Sequence, residues 1–127
     1  MNRVLNFAVV AAATLIIAST KADAAVVNIT DGSTTGYTMT DGNTYVIQNS
    51  VEFSYSTEGG SGMSLEDYAT VVLYIPAGVT LTTTGANGSG RIGGGAGIRV
   101  PETATLVLTG EGTGNATGGT AGDGAKG

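Results

Sequence analysis

The sequence predicts an all-β chain: a right-handed parallel β-helix, partial and of roughly four rungs, behind a cleaved signal peptide. Three observations carry that expectation. A passage occurs twice, since Ile75-Pro76-Ala77-Gly78-Val79-Thr80-Leu81-Thr82-Thr83-Thr84-Gly85 is echoed 25 residues on by Val100-Pro101-Glu102-Thr103-Ala104-Thr105-Leu106-Val107-Leu108-Thr109-Gly110. The match runs on into glycine, with Gly93, Gly94, Ala96 and Gly97 falling on Gly118, Gly119, Ala121 and Gly122. Repetition at this length marks a supersecondary unit that needs a neighbour to bury its apolar face. The second observation is that nearly every stretch after Ala25 favours strands and turns. The third is glycine placement: 15 of the 22 glycines lie between Gly85 and Gly127, interrupted mainly by the Ile98–Thr109 repeat core.

The elements follow in order. Met1-Asn2-Arg3 is a short positive region, Val4 to Ala18 a largely apolar run, and Ala22-Asp23-Ala24 a small-x-small cleavage pattern before Ala25. The run is shorter than the roughly 20 apolar residues a membrane span needs, so residues 1–24 read as a signal peptide rather than an anchor. Val26-Val27-Asn28-Ile29-Thr30 is a β-prone run closed by Asp31-Gly32, and Tyr37-Thr38-Met39-Thr40 another closed by Asp41-Gly42. Asp-Gly is a turn signal because glycine accepts positive φ at no steric cost. Thr44–Ile47 and Val51–Tyr55 come next, the latter alternating Val51, Phe53 and Tyr55 against Glu52 and Ser54. Ser56–Gly62 reads as a loop, Met63–Tyr68 as a turn or loop crossing with helical leanings, and Ala69–Ile75 as an apolar strand. Ile47–Phe53 lies over Ile75–Leu81 at an offset of 28 as an earlier, diverged copy. The glycine tract 85–97 reads as ordered turns; 110–127 reads as a flexible tail, with no further strand to hold it.

A repeating unit of this size suits a parallel β-helix, whose rungs stack at about 4.8 Å, better than a sandwich or barrel. Ile75, Val79 and Leu81 are expected to stack on Val100, Ala104 and Leu106. Over residues 44–122 the chain resembles the Gly-rich parallel β-helix segments of bacterial secreted and surface proteins, of the pectin-lyase-like or autotransporter-passenger type. The residues carrying the likeness are Ile75–Gly85 and Gly93–Val100, simple alternation plus glycine. The division expected is 1–24 signal peptide, 25–68 amino-terminal strands with a loop or cap region, and 69–127 Gly-rich rungs. The last of these stops inside a repeat without a polar cap, which reads as a fragment of a longer chain.

The composition excludes several functions. Beyond residue 24, Arg91, Arg99 and Lys126 face nine acids, so nucleic acid and anionic lipid are not expected partners. With no cysteine or histidine there is no disulfide staple, no Ser-His-Asp or Cys-His nucleophile, and no soft zinc ligand. Glu66-Asp67, Glu102 and Glu111 do not form a recognisable acid pair, and isolated surface acids need no catalytic role. Gly118-Gly119-Thr120-Ala121-Gly122-Asp123 approaches a calcium β-roll turn, but Ala121 replaces a required glycine and the pattern occurs once. Gly88-Ser89-Gly90 opens no strand–helix unit and marks no nucleotide site. The run Thr82-Thr83-Thr84 could suggest an ice-binding face, yet ordinary strand propensity accounts for it.

No residue is therefore assigned as catalytic, cofactor-binding or metal-ligating. The expected role is an exported surface or secreted module, adhesin-like or structural. Its expected partners are surface glycans or other cell-surface ligands, and no membrane span is expected in the mature chain. The alternatives are the amino-terminal part of a carbohydrate-active β-helix enzyme, a polysaccharide lyase or hydrolase whose catalytic rungs lie further on, and a glycan-binding module.

Overall fold

The computed structural model describes residues 24–124 of the 127, so the expected signal peptide lies, apart from Ala24, outside the described residues. These are all β, without a helix among them: β1 Val26–Ile29, β2 Tyr37–Met39, β3 Thr44–Ile47, β4 Val51–Ser54, β5 Met63–Leu65, β6 Thr70–Tyr74, β7 Thr80–Thr84, β8 Ile98–Arg99, β9 Thr105–Thr109 and β10 Thr113–Thr117. Every strand pairing is parallel. Three sheets result: a first of order β1-β3-β6-β9, a second β4-β7-β10 and a third β2-β5-β8. The chain visits them in that cyclic order, pass after pass. In the opening pass the second sheet is represented only by Ser33, bridged in parallel to Phe53; in the last, the described residues add no strand to the third.

The register sorts the two sequence alignments. Thr44 pairs with Val72 and Val46 with Tyr74, which is the offset of 28 read between Ile47 and Ile75. In the second sheet Val51 meets Leu81, two residues further along. An even slip keeps each side chain on its side of the sheet. The more obvious 25-residue repeat is not a stacking repeat. Leu81 pairs with Val51 and Gly114, while Leu106 pairs with Val71. Ile75, Val79 and Leu81 therefore do not stack on Val100, Ala104 and Leu106.

What the repeat copies is a corner. The Val79 N–H donates to the Pro76 carbonyl (3.1 Å) and the Ala104 N–H to the Pro101 carbonyl (2.9 Å). A third corner has the same bond from Ala69 to Glu66 (3.2 Å). Each turn is followed by threonine and then an inward aliphatic: Thr70-Val71, Thr80-Leu81 and Thr105-Leu106. The turn after Ile75 leads from the first sheet to the second; those after Leu65 and Val100 lead from the third to the first. Proline presets the backbone at the turn's opening, and Gly78 (φ 81°) supplies the left-handed conformation two residues on. At the Glu66 corner that position is Tyr68, at φ 62°.

Met63–Leu65, expected as a turn or loop crossing, is a strand held on both edges, against β2 and β8. Met63 and Leu65 are buried with Ser64 between them, a period-two pattern that overrides the helical propensity of methionine and leucine. The tail expected to be flexible contains β10, paired along its whole length with β7.

One core fills the space between the sheets. Ile29, Tyr45, Ile47, Val71, Leu73 and Ile75 line it from the first sheet, Phe53 and Leu81 from the second, and Met39, Met63 and Leu65 from the third. At its amino-terminal end, Tyr37 packs edge-on against Tyr45 and Phe53, with ring centroids 5.8 and 5.4 Å away. The Tyr45 hydroxyl reaches the corner, accepting from the Thr40 N–H at 2.8 Å. The opposite end tapers. Gly114 and Ala116 stand opposite Leu81 and Thr83, leaving a cavity of about 70 Å³ bordered by Ile75, Leu81, Ile98 and Leu108.

Beside the second and third sheets the glycine tracts pack backbone on backbone. The Ala86 N–H donates to the Gly60 carbonyl, its own carbonyl accepts from Gly95, and the Gly95 carbonyl accepts from Gly119, each at 2.8 Å. These chains are bonded to neighbours on more than one side. Glycines three residues apart meet neighbouring backbone at Gly85/Gly88, Gly94/Gly97 and Gly119/Gly122, and Gly95 comes closest of all. Period three is that of a polyproline-II chain, in which every third residue faces the crowded centre. A Cβ on Gly95 would overlap the Gly60 carbonyl, so no other residue fits there.

Candidate functional site

The outer face of the second sheet is where the chain presents repeated chemistry. Alternation along β7 turns Leu81 and Thr83 inward and Thr80, Thr82 and Thr84 outward. The parallel register places Thr113 beside Thr80, Asn115 beside Thr82 and Thr117 beside Thr84. On the other edge, Glu52 stands beside Thr82 and Ser54 beside Thr84. Five threonines, an asparagine, a serine and a glutamate thus form ordered rows. Rows across the strands are spaced by about 4.8 Å and positions along a strand by about 6.6 Å. The side chains of Thr80, Thr82, Thr84, Thr113, Asn115 and Thr117 make no hydrogen bond to any described residue. Their polar groups point to solvent with their capacity unspent.

The rows run into a groove. The Ser33 N–H donates to the Glu52 carbonyl at 3.1 Å and the Ser54 N–H to the Ser33 carbonyl at 2.8 Å, so the 32–34 segment lies along the β4 edge. Gly32 is required there, because a Cβ would overlap the Glu52 carbonyl. The open groove so formed, about 600 Å³, is lined by Gly32, Ser33, Thr34, Glu52 and Ser54. Its lining residues carry hydroxyls (Ser33, Thr34, Ser54) and one carboxylate (Glu52), beside the bare backbone of Gly32.

The other outer faces differ. The third sheet presents Thr38 and Ser64, whose hydroxyls lie 3.4 Å apart and satisfy each other, then Arg99. Among the described residues the only cations are Arg91 and Arg99, neither of them on the second sheet. The acids weighed in the sequence are dispersed: Glu66-Asp67 and Glu102 sit in corner turns, and Glu111 precedes β10. No group of three or more His, Cys, Asp or Glu side chains converges among the described residues. Within the calcium-like stretch the Thr120 carbonyl already accepts from the Gly88 N–H at 2.7 Å.

Burial perturbs the Tyr37 phenol and leaves two threonine hydroxyls, those of Thr44 and Thr83, without a partner. Desolvation raises the Tyr37 phenol above its usual value, and the neighbouring Tyr45 pushes it the same way. Thr83 is buried with its hydroxyl unpartnered, bordering the tapered end of the core.

Thr82-Thr83-Thr84 was legible as strand, although Thr83 turns inward and only Thr82 and Thr84 of the run face out. Asn115 and Thr117 were not, because Thr113–Thr117 sits among glycines and has no strand-like pattern of its own. No protein-family model, curated protein or solved structure matches the chain.

Proposed function

We propose that the chain is an exported surface or secreted module, adhesin-like and structural, whose three sheets close into a right-handed parallel β-helix. The observation that supports this best is the constant order in which three parallel sheets are visited. Each pass repeats the same three directions, and the first sheet is four strands deep. Stacking of this kind makes a stiff column in which each pass leans on the next. Its outer faces are then regular arrays, suited to contact with something itself extended. The amino-terminal layout of charge, apolar run and small-x-small supports export.

Expression of the full chain in a Gram-negative host tests the reading. A mature amino terminus at Ala25 by mass spectrometry, with the protein outside the cytoplasm, is the expected result. An uncleaved cytoplasmic protein overturns it. Small-angle scattering of the purified protein tests closure, expecting a compact rod and refuted by separate, loosely connected sheets.

A further inference from the structure

We propose that the outer face of the second sheet, with the groove at its β4 edge, binds a neutral polysaccharide chain lying across the strands. This names a ligand class for the surface module proposed above and rests on that reading. Four observations carry it. Thr82, Thr84, Asn115 and Thr117 offer donors and acceptors that no described residue uses. They recur at the spacing of adjacent strands, about 4.8 Å, close to the length of one sugar unit along an extended polymer. Each successive sugar therefore meets a pair of polar side chains, Asn115 and Thr117, then Thr82 and Thr84, then Glu52 and Ser54. The threonine methyls between the hydroxyls give the face a mixed character, matching the C–H and O–H edges of a sugar ring.

The groove continues the rows in the same chemistry, through Ser54, Ser33, Thr34 and Glu52. A carboxylate there accepts bidentate bonds from vicinal hydroxyls, stronger than bonds between neutral partners. Charge selects within the sugars. Glu52 is the face's one ionisable group and no cation lies on it, so a uronate or sulfated chain meets repulsion without compensation. A neutral chain meets none.

Affinity electrophoresis of the full mature chain through gels containing soluble β-glucan tests the proposal, with polygalacturonate as the acidic counterpart. Retardation by β-glucan and none by polygalacturonate is expected. The triple variant Thr82→Val, Thr84→Val, Thr117→Val keeps the branched strand-forming shapes and removes three hydroxyls. It should bind at least about tenfold more weakly, given what even modest hydrogen bonds contribute together. Thr38→Val on the third sheet should bind as the parent does. Glu52→Gln should weaken β-glucan binding without creating polygalacturonate binding. Unchanged circular dichroism in each variant separates lost contact from lost fold. Equal retardation of parent and triple variant, or preference for polygalacturonate, overturns the proposal. So does crystal-shaping thermal hysteresis without retardation, which would assign the same rows to an ice surface. A correctly exported protein that ignores β-glucan refutes this inference alone and leaves the surface-module reading standing.

Discussion

β6 and β9 lie side by side in the first sheet, in register from Thr70 beside Thr105 to Tyr74 beside Thr109. Their sequences, Thr-Val-Val-Leu-Tyr and Thr-Leu-Val-Leu-Thr, are close in composition. Yet Val71, Val72 and Leu73 are buried, whereas Leu108 is 58 % exposed and Val107 is exposed too. The difference comes from surroundings. β6 has a partner on each edge, and Leu81 and Ile98 belong to its own pass. β9 has one partner, and its pass turns Gly114 and Ala116 inward. Burial in a stacked chain is a property of layer position. Strand chemistry alone does not decide it.

Leu73 and Leu108 are register partners in these two strands. Leu73→Ala empties a fully buried site in the middle of the core, for a cost of about 2–5 kcal/mol. Leu108→Ala, one layer away, should stay within about 0.5 kcal/mol. Urea unfolding of both variants, with slopes compared to confirm unchanged cooperativity, measures the gap. Equal losses would mean that the last pass is as well packed as the third.

The glycine side lacks side chains and is still close-packed. Gly93 and Gly95 are neighbours but one in sequence and opposites in space. A Cβ on Gly93 meets nothing within 4 Å, while one on Gly95 strikes the Gly60 carbonyl. Gly95→Ala should cost about 1–3 kcal/mol, as overpacking does, and loosen the contact with Ala86. Gly93→Ala should be neutral or stabilise by about 0.4–1 kcal/mol, by restricting the unfolded chain. Hydrogen exchange at the Ala86 and Gly119 amides reports whether the bundle has opened. Loss of protection in the Gly93 variant as well would show that the tract acts as a loose linker.

These contrasts mark how far the sequence could be read. Local preferences were legible: β3, β4 and β6 announce themselves through alternation or aliphatic runs, and the offset of 28 between Ile47 and Ile75 is a true register. The 25-residue repeat misled because proline and threonine report the chemistry of a corner, and the chain uses one corner chemistry at two places. β5 was hidden by residues with helical propensity and by the Glu66-Asp67 turn after it. β10 was hidden because Gly114 and Asn115 have little strand preference and pair only because β7 is already laid down. Of the hydroxyl face, the strand character of β7 showed in the sequence, while the inward turn of Thr83 did not. The β10 half needed the register.

The corners supply a smaller effect. Gly78 and Tyr68 occupy the same turn position, both left-handed, but a side chain there is disfavoured by about 1–2 kcal/mol. Tyr68 is 78 % exposed, so its ring gives little contact in return. Tyr68→Gly should therefore stabilise by up to about 1 kcal/mol, less the added freedom of the unfolded glycine, while Gly78→Ala should destabilise by a similar amount. Thermal melts of the two variants moving in opposite directions would confirm one corner geometry in two layers. A loss of stability in Tyr68→Gly would show that the ring itself holds the turn against the Thr103 layer.

The smallest effect concerns the two ends. Where the last pass leaves an open cavity, the first is closed by Tyr37 lying edge-on to Tyr45 and Phe53. Burial raises the Tyr37 phenol above its ordinary value near 10 and Tyr45 adds to it, so the folded chain holds that proton to higher pH than the unfolded chain does. The stabilising contribution is complete below pH 10. It is lost as pH climbs from there through the folded value, because the unfolded state ionises first and binds fewer protons. Melting temperatures recorded from pH 8 to 11 should fall more steeply in the parent than in Tyr37→Phe, which keeps the ring packing and removes the ionisable group. Identical alkaline slopes would move the loss to another tyrosine and leave the amino-terminal end as open to water as the carboxyl-terminal one.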